Sequence, residues 1–184
     1  GLAAIGMAAR AIRLDEANFV MAGGMESMSN APHVLHELRW GARMGDATLV
    51  DVMTHDGLFC AFDHCTMGES SDHKNAKLGI TRAEQDEWAA ASHDRAIAAS
   101  ESGAFAEEIV PVEVPQRRGD PRLVDTDEHP RPDTTLEKLA RLRPVYSDGV
   151  CTAGNSSSEN DGAAALLLDF LLGVVVAVAA ARRP

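Results

Sequence analysis

The stretch Phe19–His33, FVMAGGMESMSNAPH, indicates how the rest of the chain is arranged. It opens with an apolar run of strand length, Phe19–Ala22. Gly23 and Gly24 follow, where the backbone can turn sharply because glycine has no Cβ. A segment with helical periodicity, Gly1–Leu14, precedes the run, and the order helix, strand, glycine-rich loop is typical of an α/β layer that binds ligands beyond its strand ends. For the glycine pair alone, a plain tight turn is the commoner interpretation.

The composition favours a globular protein and argues against a nucleic-acid partner. The chain has 184 residues, of which 45% are hydrophobic, and a net charge of −11. This length suits one domain or one and a half, and the apolar content is too high for a disordered chain. Nucleic-acid binding requires clustered Lys and Arg, and the basic pairs here are short. Those pairs are either solvated or suited to holding an anionic cofactor.

Three cysteines, Cys60, Cys65 and Cys151, are too few for a disulfide framework. Cys60 and Cys65 lie near His64 and His73, a combination that could suggest zinc. The spacing is not that of a zinc motif, however, and no second ligand pair follows. The cysteines therefore favour a reduced, intracellular setting, with no bound metal expected.

Periodicity and capping residues predict the helices. Gly1–Leu14 carries apolar residues at Leu2, Ile5, Ala9 and Ile12, so we expect a buried helix. Two capping boxes, each a Thr followed three residues later by a Glu, predict helix starts. The first leads into a helix that ends near a glycine, and the second into a short helix that a proline ends. The residues concerned are Thr81 and Glu84 with Gly103, and Thr134 and Glu137 with Pro144.

Strands and loops are expected in the second half of the chain. Ile109–Val114 alternates like a strand, and Pro111 and Pro115 would confine that strand to an edge. Residues 116–133 have the composition of a surface loop or hairpin turn. The small polar stretch Cys151–Gly162 is either a linker or a ligand-facing loop. The apolar block Ala163–Leu168 follows directly, which favours a ligand-facing loop that enters a buried element.

The C-terminal segment departs from the rest of the chain. After Asp169 the sequence runs FLLGVVVAVAAA and then Arg-Arg-Pro. A membrane helix needs about 20 apolar residues, and joining this run to the apolar block before Asp169 would bury that carboxylate at mid-span. We therefore expect no membrane partner. A buried core segment or an artefact of translation accounts better for the run.

Several stretches together resemble the thiolase family, most nearly its acetyl-CoA acetyltransferases. They agree in order and spacing from residue 1 to about 168. The stretches are AGGMESMSNAPH (22–33), DGLFCAFDHCTMGES (56–70), GITRAEQDEWAAASHDRA (79–96), EEIVPV (107–112), LARLRPVY (139–146) and TAGNSSSENDGAAALLL (152–168).

The resemblance implies a thiolase-like α/β fold with an incomplete N-terminal half and an inserted α+β loop domain. Residues 1–24 would be a helix and strand of the N-terminal core, and 25–150 the loop domain over coenzyme A. Residues 151–168 would return to the core, and 169–184 would be an aberrant apolar tail. We expect that tail to be out of frame, because it has no polar face.

Thiolases catalyse the reversible Claisen condensation of acetyl-CoA to acetoacetyl-CoA, and its reversal by thiolysis. The resemblance implies an acyl-CoA substrate, no covalently bound cofactor, a homo-oligomer and a cytoplasmic location. A family thiolase carries its acyl group on one Cys and uses a His and a second Cys. By resemblance, that nucleophile precedes Gly1 and the other two lie in the second half. No catalytic residue is therefore expected in this chain, and Cys60, Cys65 and Cys151 match none of these positions.

The resemblance assigns binding residues instead. Leu58 and Met67 would lie against the pantetheine and acyl group, and Arg131 at the adenine nucleotide end. Ala153 and Ser157 would touch the pantetheine arm, the Ser by a hydrogen bond. Two positions depart from the family. Thr66 stands in place of a His, which removes an expected polar contact near the acyl pocket, and Ser158 in place of a Gly, which alters the turn.

Two interpretations remain open at this point. The chain is either part of a catalytic thiolase, or a non-catalytic, truncated or frameshifted thiolase-like protein. The second would pair with other subunits or bind CoA weakly. A stand-alone CoA-binding module is a weaker third interpretation, because half of the family's pocket lies outside the sequence.

Overall fold

The computed structural model of this protein describes residues 1–169. The elements follow one another in chain order, and most of the strands are only two or three residues long. They are α1 (Leu2–Arg13), β1 (Phe19–Glu26), β2 (His33–Val34), β3 (Val50–Asp51), β4 (Phe59–Cys60), β5 (Cys65–Thr66), α2 (Met67–Leu78), α3 (Arg82–Glu101), β6 (Val112–Val114), β7 (Arg122–Val124), α4 (Leu136–Ala140) and β8 (Gly162–Asp169). Short 3₁₀ segments cover Met28–Asn30 and His36–Trp40, and a π-helical segment covers Met53–Leu58.

The chain divides into two units. The first joins Gly1–Phe59 with the segment that begins at Ser158, and the second is Cys60–Ser157. Among residues 1–169, no helix has both the length and the apolar character that a membrane span requires. The expectations for the tail fall on residues 170–184, which lie outside the described part.

In the first unit, α1 packs on β1 and β8 through one stripe of small and branched side chains. Ala8 and Ile12 are buried together with Ala22 of β1 and Leu168 of β8. The predicted helix is confirmed, but its buried stripe differs at the start, since Leu2 is 89% exposed. Arg10 and Arg13 lie in the last turn, where positive charge interacts favourably with the helix dipole.

Strand β1 runs straight through the glycine pair. It pairs antiparallel with β8 over its whole length, with Gly23 opposite Ala165 and Gly24 opposite Ala164. The predicted sharp turn at this pair is therefore wrong. A Cβ on Gly23 would overlap the Ala164 carbonyl oxygen, so glycine here permits close approach of the backbones rather than a turn.

The other face of β1 is open in the described structure. Met21 is 75% exposed and Met25 81% exposed, and Phe19 shares this face because alternate strand residues point the same way. The apolar block 163–168 forms most of β8, where Leu168 is buried and most of the other residues are partly buried. The element is thus a strand, with one well-covered residue at its carboxyl end.

In the second unit, both long helices begin with capping boxes. The Thr81 hydroxyl accepts from the Glu84 amide at 3.3 Å, and the Glu84 carboxylate accepts from the Thr81 amide at 2.7 Å, which confirms the prediction. Thr66 and Glu69 cap α2 in the same way. Past the end of α3, Gly103 adopts a φ of 74°, a conformation that glycine tolerates.

The second predicted capping box is displaced by one residue. Thr135, rather than Thr134, caps α4, because its hydroxyl accepts from the Lys138 amide at 3.2 Å. Glu137 then occupies the second helical position instead of the third. It pairs with Arg141 one turn later and does not reach back to the cap.

A short hairpin accounts for the predicted strand and the loop after it. β6 and β7 pair antiparallel, with Glu113 opposite Leu123. β6 begins after Pro111 and ends before Pro115. Both prolines lack the N–H that a ladder hydrogen bond needs, which is why the strand is shorter than the alternating pattern.

Candidate functional site

The loop Val150–Ser157 follows α4 and is fixed to α2 by one carboxylate. Asp72 Oδ1 accepts hydrogen bonds from the amides of Val150 and Cys151, each at 2.9 Å. Asp72 lies in the middle of α2, so the loop is attached to a rigid element. Backbone amides that bind a carboxylate are strong partners, because the acceptor is charged.

The loop then closes on itself. Thr152 is fully buried, and its Oγ1 accepts from the amides of Gly154 at 3.2 Å and Asn155 at 3.3 Å. Asn155 Oδ1 accepts in return from the Thr152 amide at 2.7 Å. Side chains of Thr and Asn favour such local bonds to nearby backbone. These three bonds hold Ala153 at the tip of a tight turn.

Asn155 also ties the turn to α3. Its Nδ2 donates to Asp86 Oδ1 and to the Val150 carbonyl, both at 3.0 Å. Asp86 is 4% exposed and pairs through Oδ2 with Arg82 Nε at 2.7 Å. A buried carboxylate requires such partners, since an unpaired one would be strongly destabilising.

Arg82 connects this hydrogen-bond network to α4. Its Nη2 donates to the carbonyls of Leu139 at 2.5 Å and Leu142 at 3.1 Å. These carbonyls lie at the carboxyl end of α4, where no intrahelical partner remains. Arg82 thus satisfies the end of α4 and the carboxylate of Asp86 together.

Apolar side chains pack against the turn that contains Gly154. Methyl carbons of Leu139 and Leu142 lie 2.5 Å from where a Cβ on Gly154 would be, so this position has no room for a side chain. Tyr146 packs in the same way over Gly68, and its hydroxyl lies 2.5 Å from Thr66 Oγ1. Thr66, one of the two departures from the family pattern, therefore caps α2 and contacts Tyr146.

The surroundings of Asp72 and Cys151 shift both of their pKa values. Burial would raise the pKa of Asp72, but the hydrogen bonds from Val150 and Cys151 together lower it below its usual value. Burial is the larger cause and the neighbouring Asp72 carboxylate the smaller one, and together they raise the pKa of the Cys151 thiol to about 11. Burial, Asp63 and Glu69 likewise raise the pKa of Cys65. At neutral pH, these two thiols are therefore protonated and weakly nucleophilic.

The five residues assigned by resemblance occupy several places. Ala153 and Ser157 are exposed on the fixed loop, and Met67 is the half-exposed first residue of α2. Arg131 is exposed, and its amide donates to His93 Nδ1 of α3 at 3.1 Å. Leu58 is half-buried and belongs to the first unit. Ala153 and Ser157 thus share one loop, while Met67 and Arg131 lie elsewhere in the second unit.

A cleft of about 590 Å³ opens beside α2 in the second unit. Its lining contains three carboxylates and none of the five assigned residues, so an anionic cofactor is a poor fit for it. The lining residues are Glu69, Asp72, His73, Ala76, Val145, Tyr146, Ser147 and Asp148. Within residues 1–169, no three His, Cys, Asp or Glu side chains are placed to share a metal ion.

Sequence reasoning missed the residues that hold the loop. Arg82 and Asp86 carry a signal, because they stand four apart on the helix that the Thr81 capping box opens. Asp72 gives no such signal, since its partners Val150 and Cys151 are far away in the sequence. Its role follows from the tertiary fold alone.

The sequence matches the thiolase N-terminal domain family over residues 1–169. Acetyl-CoA acetyltransferase of Pseudomonas aeruginosa is 53% identical over 169 residues, which are 91% of this chain and 43% of that protein. The enzyme of the same name from Chromobacterium violaceum is 51% identical over the same shares of the two chains. The chain thus spans less than half the length of these curated relatives.

Solved structures agree with the sequence matches. An acetyl-CoA acetyltransferase from Syntrophomonas wolfei is similar, with a TM-score of 0.85 and 37% identity over 96% of this chain and 45% of that one. The enzyme from Bacillus anthracis has a TM-score of 0.82 and 41% identity over 92% of this chain and 43% of that one. The predicted thiolase-like α/β fold is confirmed by these similarities. Because the family match covers all the described residues, the chain belongs to the thiolase family.

Proposed function

We propose that this chain forms part of an acetyl-CoA acetyltransferase that condenses two acetyl-CoA molecules reversibly to acetoacetyl-CoA. The observation that carries the proposal is the 53% identity to the Pseudomonas aeruginosa enzyme over 169 residues. The substrate is a coenzyme A thioester, and no covalently bound cofactor takes part. A homo-oligomer and a cytoplasmic location belong to the same proposal.

The chain's own contribution is to bind the thioester rather than to carry the acyl group. Residues 25–150 supply the loop domain over coenzyme A, with Leu58 and Met67 against the acyl and pantetheine groups. Ala153 has a small exposed side chain on the fixed loop, which leaves room for a pantetheine arm. The exposed Ser157 hydroxyl can bond to one of the amides of that arm.

Arg131 is assigned to the nucleotide end. A guanidinium can pair with phosphate or stack on adenine, and the side chain of Arg131 is exposed for either contact. The amide bond to His93 fixes the backbone at this position. The net charge of −11 makes such a local positive group important for attracting an anionic ligand.

Acyl transfer by the chain alone is not part of the proposal. Cys65 and Cys151 have raised pKa values, which disfavours the thiolate that a thiolase nucleophile must supply. Cys60 lies in the short strand β4 and matches no catalytic position of the family. We expect the purified chain to cleave no acetoacetyl-CoA above a heat-treated control, and sustained cleavage would contradict this.

A second function is favoured by the open face of β1. Phe19, Met21 and Met25 form an exposed apolar surface of a kind that marks protein interfaces. A non-catalytic thiolase-like chain that pairs with other subunits through this face is the alternative. It predicts association of the purified chain without CoA binding, whereas the first function predicts CoA binding.

Calorimetric titration with coenzyme A tests the proposed function. We expect weak binding by the full chain, and about tenfold weaker binding by Arg131→Ala, because a charged hydrogen bond contributes about 1.5 kcal/mol or more. Arg117→Ala is the matched control, since Arg117 is also exposed but lies in another loop. Equal affinities for the chain and Arg131→Ala would remove Arg131 from the site.

A further inference from the structure

Cys60 and Cys65 lie on two short strands joined by a tight turn. β4 and β5 form a two-stranded sheet, with residues 61–64 between them. A connection this short can join only antiparallel strands, because parallel strands need a long crossover. With two residues in each strand, the antiparallel pairing sets Cys60 opposite Cys65.

The turn itself is closed by bonds to Cys60. The His64 amide donates to the Cys60 carbonyl at 2.9 Å, and the Asp63 amide donates to Cys60 Sγ at 3.4 Å. His64 adopts a φ of 53°, which reverses the chain just before Cys65. The backbone bonds therefore bring the two cysteines together without help from distant residues.

The separation of opposed residues suits a disulfide. Directly opposed residues in antiparallel strands have Cα atoms roughly 4.5–5.5 Å apart. Disulfides span Cα distances of roughly 4.4–6.8 Å. Both thiols are reduced here and partly exposed, so a small oxidant can reach them. Cys151, by contrast, is buried.

We propose that Cys60 and Cys65 form a reversible intrachain disulfide when the chain meets a low-molecular-weight disulfide such as glutathione disulfide. The hairpin is then a site of redox modification. A transient bond of this kind fits an otherwise reducing compartment, where stable structural disulfides are rare. No acyl-transfer step is involved.

The exchange balances in two steps. The Cys60 thiolate attacks one sulfur of glutathione disulfide, breaks its S–S bond and releases one glutathione thiolate. The Cys65 thiolate then attacks the Cys60 sulfur of the mixed disulfide and releases the second. Two protein thiols are oxidised, one disulfide is reduced, and the two protons pass to the released glutathiones.

The bond would close the turn between two residues that the proposed function assigns to contacts with the ligand. Leu58 precedes Cys60 by two positions, and Met67 follows Cys65 by two. Thr66, the cap of α2, is the residue between Cys65 and Met67. If the proposed function holds, oxidation therefore restrains the segment that presents Met67.

The test uses the full chain with Cys151→Ser, equilibrated in glutathione buffers of graded ratio, then acidified, alkylated and digested with trypsin. The peptide 44–74 contains both cysteines and has no internal Lys or Arg. A bond between them therefore appears as an unalkylated peptide that lacks two hydrogens. We expect the native chain to form it about tenfold more favourably than the same chain in concentrated urea, because the hairpin holds the thiols together.

Single variants complete the test. Cys60→Ser and Cys65→Ser should each stop at one glutathione adduct on the remaining cysteine. Equal formation of the bond in native buffer and in urea would overturn the proposal, as would adducts on both cysteines without an internal bond. The experiment contains no coenzyme A, so failure of the proposed function would leave its result unchanged.

Discussion

Each of the two units of this chain is stabilised internally by a different kind of contact. In the first, α1 covers one face of the β1–β8 ribbon, and the buried contacts are Ala8, Ile12, Ala22 and Leu168. In the second, buried polar residues, Thr152 and Asp86, lie beside the buried Leu139 and Cys151 and hydrogen-bond the fixed loop in place. Apolar burial is non-directional, whereas a buried hydrogen-bond network requires each partner at its own distance and angle.

The difference explains which contacts specify geometry. The ribbon can tolerate small shifts of packed side chains, as apolar cores do when their volume is kept. The loop cannot shift without breaking bonds to Asp72, Asp86 and Asn155. We therefore expect substitutions in the two units to fail in different ways, and the predictions below test that expectation.

The largest effect is expected for Asp86→Ala. It removes the partner of Arg82 and of Asn155 Nδ2, and leaves a partly buried guanidinium without its carboxylate. Breaking a buried ion pair in this way costs about 3–5 kcal/mol of unfolding free energy. Urea unfolding followed by circular dichroism measures the loss.

Glu87→Ala is the control for Asp86→Ala, because it alters the next residue of the same helix, which is exposed. We expect a change within about 0.5 kcal/mol for this control. If Asp86→Ala cost no more than Glu87→Ala, the polar network would not stabilise the second unit.

Leu168→Ala should have the next largest effect. Leu168 is 5% exposed in a small apolar core, and truncation of a buried Leu costs about 2–5 kcal/mol. We expect the lower half of that range, because the core is thin and can partly collapse. Leu2→Ala, at an exposed position of α1, should change the urea midpoint little. A similar loss for both variants would contradict the observed stripe.

Acidification should destabilise both units, in each case by protonating one hydrogen-bonded carboxylate. Bonds from the Ser29 side chain and amide lower the pKa of Asp161, and the amides of Val150 and Cys151 lower that of Asp72 against the effect of burial. A carboxylate whose pKa is lower in the folded chain than in the unfolded chain stabilises the fold at pH values above its unfolded pKa. This stability is lost as the pH falls through the folded pKa. Stability should thus be constant near neutral pH and decrease below the ordinary value of 3.8.

Asp72→Asn and Asp161→Asn test this acid prediction, measured as urea midpoints at neutral and acidic pH. Each variant should be less stable than the unchanged chain at neutral pH. Each should also lose less stability than the unchanged chain on acidification. A variant with an unchanged pH dependence would show that its carboxylate does not contribute.

The smallest effect distinguishes two neighbouring threonines. Thr135→Ala removes the hydroxyl that caps α4 and should cost about 1 kcal/mol. Thr134→Ala should cost less, because that side chain makes no cap bond. Larger destabilisation from Thr134→Ala in thermal unfolding would restore the capping box that the sequence predicts.

Sequence patterns predicted the local elements well. Capping chemistry at Thr81 and Glu84 depends on residues three apart, so the helix start is legible in the sequence. The helical periodicity of residues 1–14 likewise predicted α1. The family resemblance, confirmed by the comparisons, supplied the fold that these local signals could not.

The errors arose where distant chain segments decide the conformation. Gly23 and Gly24 read as a turn because the sequence does not show β8 pairing with β1. The shift from Thr134 to Thr135 could not be foreseen either, since both threonines can cap a helix. Asp72 was missed for the same reason, because its partners lie on the far side of α3 and α4 in the sequence.

The residues that fix the conformation of the loop Val150–Ser157 are different from those that form its exposed surface. Its conformation depends on backbone amides, Thr152 and Asn155, and on a glycine at 154 that Leu139 and Leu142 leave no room to replace. Ala153 and Ser157 are exposed and take no part in that anchoring. A library randomised at positions 153 and 157 would therefore vary the exposed surface of the loop on an unchanged scaffold.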